Sequence, residues 1–406
     1  MRSLLQELSW KERLVLFALL SGLIIGILAF IILPTTTDLF AANPQWGWDF
    51  RNNLWSPAYL LLQGKSPYRI DQLFDANSVW LPPAIGVFLP LGALSLDMAI
   101  KTWFILNLSV FFGIFVLSSM PAQKPPPLFL LMVLLVLLLF PPLVSHLLLG
   151  QYSLWIVLVL LLAARGITRH WSIVLLGGCI ALAIPKPQLL LLALPSLCIS
   201  IIRQQQKNHP SSLLPAGRLL MAAGVGSLIF TLPLWLGYPN WIEGFLWALG
   251  RNADWIQPSS LNLFRHLTQN IAFGTVLWAI WGGALFGIAA WLAWRQPCDT
   301  ALRWSLALTP LVTPYVWSWD FVLLLPVMIH SLWLCQRWLT RILWILGYGI
   351  IWWGILQQRL NATNTLASDE HFWWIPYGVL ALVVTMNWLN HKLDNPNALQ
   401  PVEAGF

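Results

Sequence analysis

Asp49 is the residue around which chemistry can be assembled. It stands in WGWDFRNNLWSPAYLLLQGKSPY, a polar, aromatic, turn-rich stretch from Trp46 to Tyr68. Trp46, Trp48 and Trp55 surround it and Arg51, Asn52 and Asn53 follow it. An acid just outside a membrane span is costly unless it is used or capped. One reading makes Asp49 an interfacial helix cap or a partner for Arg51. The other makes it a catalytic carboxylate, in an aromatic frame suited to stacking a sugar. Asn52 and Tyr68, in the same stretch, are candidates for binding a substrate.

Further polar residues interrupt the apolar chain. His146 and Gly150-Gln151-Tyr152 separate two apolar runs, where they either cap two antiparallel helices or offer His146 and Gln151 to a polar headgroup. Lys186 lies in Pro185-Lys186-Pro187-Gln188. Its ammonium either snorkels to lipid phosphate or binds the phosphate of a lipid-linked substrate. Arg251, Asp254, Asn262, Arg265 and His266 lie among Trp241, Trp247 and Trp255; they are solvated loop charges or, for Asn262 and Arg265, one polar helix face. Trp319 and Asp320 close the turn TPYVWSWD. Asp320 there is a helix cap and dipole partner, or it orients an acceptor hydroxyl or helps to hold a cation. No paired histidine, HExxH motif, cysteine pair or phosphate-cradling glycine loop is present, so no metal site or cofactor is expected, and a divalent metal requirement stays open.

The elements that position these residues are membrane helices. Of 406 residues 58% are hydrophobic and only 9% charged, against roughly a quarter charged in soluble domains. The 27 tryptophans gather near the ends of apolar runs, as at a membrane interface. The basic residues are scattered singly, which gives no nucleic-acid patch, and the four cysteines imply no extracellular disulfide framework. The fold class is therefore all-α and polytopic, with about twelve spans of the ~20 residues needed to cross a bilayer.

The spans are expected near 14–33, 98–118, 128–146, 151–164, 171–185, 187–202, 218–236, 271–294, 302–316, 320–335, 341–357 and 372–389. Residues 81–95 are too short and proline-rich to span. Kept outside as a juxtamembrane helix, they leave 14 of the 22 Lys and Arg residues inside and 8 outside, and the positive-inside rule selects that arrangement. Both termini are then cytoplasmic, and the long outer loops are 35–97 and 237–270. Ser56 as N-cap and Gly64 after the helix end predict a short helix over 57–63 in the first loop. The chain reads as one membrane domain, 1–390, with a polar cytoplasmic tail, 391–406.

The order of these features resembles the GT-C superfamily of integral-membrane glycosyltransferases, and within it glycosyltransferase family 87. The similarity runs from residue 10 to about 330. It covers Asp49 after the first span, A-Y-L-L-L-Q-G-K-S-P-Y ending at Tyr68, and Trp80-Leu81-Pro82-Pro83. Gly150-Gln151, the Lys186 break, Ser260-Leu261 with Arg265, and Thr313-Pro314 before Trp317 and Trp319 continue it. The resemblance implies an enzyme of the plasma membrane, bacterial in type, with its active site on the outer face. A polyprenyl-phosphate sugar, mannose by family analogy, would be the donor, and a glycan or glycolipid the acceptor. The transfer would invert the anomeric centre, with Asp49 as general base and Lys186 and Arg265 on the departing phosphate. Relatives often carry a histidine after the tryptophan of the late turn, where this chain has Ser318, Trp319 and Asp320. A twelve-span transporter or flippase, a polysaccharide polymerase or ligase, and a non-catalytic subunit are the other readings of such a chain.

Overall fold

The computed structural model describes residues 46–69, 71, 73, 80–119, 127–206, 214–250, 256–361 and 369–394. The expected first span, Lys124, Arg251, Asp254, Trp255 and the tail beyond 394 lie outside these residues. Among the described residues there are 16 α-helices and no strand. In order they are α1 Ser56–Leu62, α2 Pro83–Gly92, α3 Leu96–Ser118, α4 Pro127–Leu138, α5 Pro141–Leu149, α6 Ser153–Thr168, α7 Ile173–Ala183 and α8 Ala193–Gln206. There follow α9 Leu214–Gly237, α10 Trp241–Leu249, α11 Ser260–Thr268, α12 Ile271–Arg295, α13 Cys298–Val312, α14 Leu325–Leu334, α15 Trp338–Leu360 and α16 Trp374–Asp394.

Eleven of the twelve expected spans fall on described residues, and several of these are short or broken helices. Six helical stretches are long and apolar enough to cross a membrane: α3, 187–204 leading into α8, α9, α12, α15 and 370–393 around α16. A seventh arises if α5 and α6, bent by 109° at their junction, count as one broken span. The expected span at 128–146 is split into α4 and α5, because Pro141 and Pro142 open a new helix after Phe140 and proline cannot continue an old one. α7 has 11 residues, only about 16 Å of helix. The apolar 302–316 and 320–335 become the 15-residue α13, a 3₁₀ turn Ser318–Leu324 and the short α14.

Of the helices flanking the breaks, α6, α13 and α14 lie inside, as does much of the unbroken α3, whereas the long α9, α12 and α15 face outward. α6, α13 and α14 are buried along most of their length. α9, α12 and α15 present large apolar side chains outward, among them Leu228, Ile229, Ile280, Trp291 and Ile350. A broken helix leaves backbone polar groups unpaired, which lipid cannot satisfy but protein can. The breaks therefore sit where polar side chains gather.

The stretch that begins at Trp46 docks on the α5–α6 bend. A π-helical turn, Phe50–Trp55, runs straight into α1, so Ser56 is already helical and is not the expected N-cap; its hydroxyl donates back to the Arg51 carbonyl at 2.6 Å. The chain turns after α1 at Gly64, which adopts φ +67° as anticipated for a residue past the helix end. Upstream, the Gly47 N–H donates to the Leu148 carbonyl at 2.7 Å. Phe50 stacks on Trp103 at 5.6 Å, and Trp103 stacks on Trp155 at 5.5 Å. Trp103 also donates its indole N–H to the Gly150 carbonyl at 2.8 Å.

Gly150 is the hinge of this contact. It holds φ +70°, and a Cβ there would lie 2.7 Å from the Phe50 Cβ. Gly150→Ala should therefore lower the thermal midpoint, at a cost of about 1–3 kcal/mol from backbone strain alone. Unfolding of the purified variant in detergent checks this, and an unchanged midpoint would contradict it.

Candidate active site

Three chain breaks bring three charged side chains together. Asp49 enters from the π-helical turn, Lys186 from the kink after α7, and Asp320 from the 3₁₀ turn before α14. All are buried: 7% exposed for Asp49, 6% for Lys186 and 1% for Asp320. The Lys186 ammonium donates to Asp320 Oδ1 at 2.8 Å, to Gln151 Oε1 at 2.8 Å and to Ser153 Oγ at 3.3 Å. Lys186 lies over the Trp80 ring, 5.0 Å from its centroid. The ammonium is thus turned into the protein and not toward lipid phosphate.

Gln151 connects this cation to Asp49. Its amide oxygen accepts from Lys186 and its Nε2 donates to Asp49 Oδ2, an orientation fixed by the two partners because the ammonium only donates and the carboxylate only accepts. Asn53 Nδ2 donates to the other oxygen, Asp49 Oδ1, at 3.0 Å. Asp320 is held in the same way. Ser153 donates to its Oδ1, and the Trp317 N–H donates to Oδ2 at 3.2 Å. Asp320 occupies the third position of its turn and makes the return bond of a capping box, so it serves the helix end and the cation together instead of acting as N-cap.

The surroundings decide the basicity of Asp49. Burial is the largest influence and raises its pKa from 3.8 to about 6, with the nearby Asp320 charge adding to the rise. Lys186, Gln151 and Asn53 oppose it. A carboxylate of this strength is mostly ionised at neutral pH yet more basic than an exposed one, which suits proton abstraction.

Other candidates lie beside the network or apart from it. His146, fully buried in the last turn of α5, has no hydrogen-bond partner at either ring nitrogen and lies near the backbones of Gln151 and Trp319. Trp319 stacks on Trp317 at 4.9 Å and its indole N–H is unpartnered. Asn52 is buried near Asp49 in the chain; its oxygen accepts from Arg51 Nε at 3.2 Å while Nδ2 finds no partner. Tyr68 belongs to a separate apolar cluster with Leu61, Ile85, Leu234 and Ala248.

The polar pair on α11 stands elsewhere. Asn262 Nδ2 donates to the Gln257 carbonyl at 2.9 Å, and Arg265 Nε donates to Thr275 Oγ1 at 3.2 Å. α11 is pinned there by Gly274 of α12, where a Cβ would lie 2.6 Å from the Arg265 Cα. Asp49, Gln151, Lys186 and Asp320 therefore converge, whereas Tyr68, Asn262 and Arg265 do not join them. Sequence reasoning misses Asn53, Ser153 and Trp80 as partners. The signals available for them are slight: Asn53 is spaced four residues from Asp49, and Ser153 stands at the head of α6.

The family model described as glycosyltransferase family 87 matches residues 81–316. That range contains Gln151, Ser153, Lys186 and Arg265, and ends four residues before Asp320. No curated protein and no solved structure matches the chain.

The raised pKa of Asp49 has a consequence for stability. The folded protein holds the Asp49 proton more tightly than the unfolded chain, so stability falls as pH rises from about 4 to about 6 and is level above that. Asp49→Asn lacks this dependence. The thermal midpoint of wild type relative to Asp49→Asn should drop with pH across that window, and a constant difference would contradict the assignment.

Proposed function

The chain belongs to glycosyltransferase family 87 and is a membrane glycosyltransferase, and from that premise we propose that it transfers a sugar from a lipid-phosphate donor, with Asp49 as the base. The observation that carries this reading is the Gln151 bridge between a raised-pKa carboxylate and a buried ammonium. Asp49 takes the proton of the acceptor hydroxyl as that oxygen bonds to the anomeric carbon. The bond from that carbon to the phosphate oxygen breaks, and its electron pair leaves with the phosphate. Attack opposite to the leaving group inverts the centre.

Lys186 acts on the other side of the reaction. A glycosyl phosphodiester carries one negative charge and the released monoester two, so a fixed ammonium binds the product-like transition state more strongly than the donor. In this reading the donor phosphate takes over Lys186 from Asp320, and Ser153 and Gln151 keep the ammonium in place. The donor is a polyprenyl-phosphate sugar and the acceptor a glycan or glycolipid, with mannose favoured by the family resemblance. The outer face of the plasma membrane suits this chemistry under the positive-inside arrangement.

Asp49→Asn should retain expression and lower transfer from a polyprenyl-phosphate sugar by about 10²- to 10⁴-fold. For the wild type, kcat/KM should climb as pH rises through about 6, where Asp49 ionises, and then flatten. Product formation from a radiolabelled donor measures both, and transfer retained by Asp49→Asn would exclude it as the base.

A further inference from the structure

The opposite end of the buried helices carries a second charged cluster that the reaction does not use. Arg165 lies in the last turn of α6, about 18 Å along the helix from Ser153. Arg303 lies on α13 and is only 2% exposed. Together with Leu117, Leu161 and Asp299 they line one small cleft. Arg303 donates from Nη1 to His330 Nδ1 at 3.1 Å, and its Nε has no partner. Because the guanidinium only donates, that imidazole nitrogen accepts and is unprotonated. Asp299 is one helical turn before Arg303, yet among the described residues no ion pair joins either arginine to a carboxylate.

A buried guanidinium that makes no ion pair is a costly arrangement, and the Asp299 carboxylate on the same cleft offsets that cost only in part. Two guanidiniums on one cleft add mutual repulsion. Both costs are relieved by an anion that accepts from Arg303 and Arg165 together, and the planar fork of arginine matches tetrahedral oxyanions. We propose that the cleft between Arg165 and Arg303 binds a phosphate-type anion, either a free phosphate or the headgroup of an anionic lipid. The site is separate from Asp49 and does not depend on its role.

The test uses the full-length protein in phosphatidylcholine nanodiscs. Inorganic phosphate is titrated by calorimetry, and phosphatidylglycerol added to the discs is followed by native mass spectrometry. Wild type should bind at least one probe, with Arg165→Gln weakening it about tenfold and the nearly isosteric Asp299→Asn tightening it by removing a repelling carboxylate. Phosphate binding alone assigns a free anion; phosphatidylglycerol retention alone assigns a lipid headgroup. Binding of neither probe by wild type, or binding that these two variants leave unchanged while their thermal midpoints stay near wild type, overturns the proposal.

Discussion

The burial of the Lys186 ammonium is the constraint on which the rest of the structure depends. An unpaired charge inside a membrane protein costs several kcal/mol even after relaxation, and here Asp320, Gln151 and Ser153 offset that cost. They gather at Lys186 only because helices stop: α5 at Gly150, α7 before Pro187, and α13 before the 3₁₀ turn at Ser318. The breaks in the interior and the polar cluster at Lys186 are two sides of one arrangement.

That arrangement also accounts for the state of Asp49. Gln151 relays the position of the ammonium to the carboxylate without a direct ion pair, so burial outweighs charge attraction and the pKa rises to about 6. A direct contact with Lys186 would pull it the other way. Asp320 stands in the late turn, where the family resemblance leads one to expect a histidine, and in this chain it holds the cation. Replacing Asp320 with a neutral group would remove the one ion pair that Lys186 makes among the described residues.

Much of this is legible in the sequence, for identifiable reasons. Glycine before a polar residue marks the α5–α6 bend, and a proline on each side of Lys186 marks the second break. Asp49 stands out because acids are scarce in so apolar a chain. Span lengths are less legible, since apolar residues at 128–146 and 320–335 look alike whether a helix continues or is broken by packing. Arg303 reads in sequence as one more scattered basic residue, but its surroundings in the fold bury it, a long-range effect without a local signal. Arg265 looks like a phosphate ligand by its place in the chain; the close approach of α11 to Gly274 directs it to Thr275 instead.

In the proposed reaction Lys186 and Asp49 face the two sides of one reacting carbon. The most direct measurement is a cryo-electron microscopy structure with a non-transferable polyprenyl-phosphate sugar analogue bound. The phosphate should lie within hydrogen-bond distance of Lys186 Nζ, with the Asp49 carboxylate on the opposite face of the anomeric carbon. A phosphate bound elsewhere, with Lys186 still paired to Asp320, would contradict this arrangement.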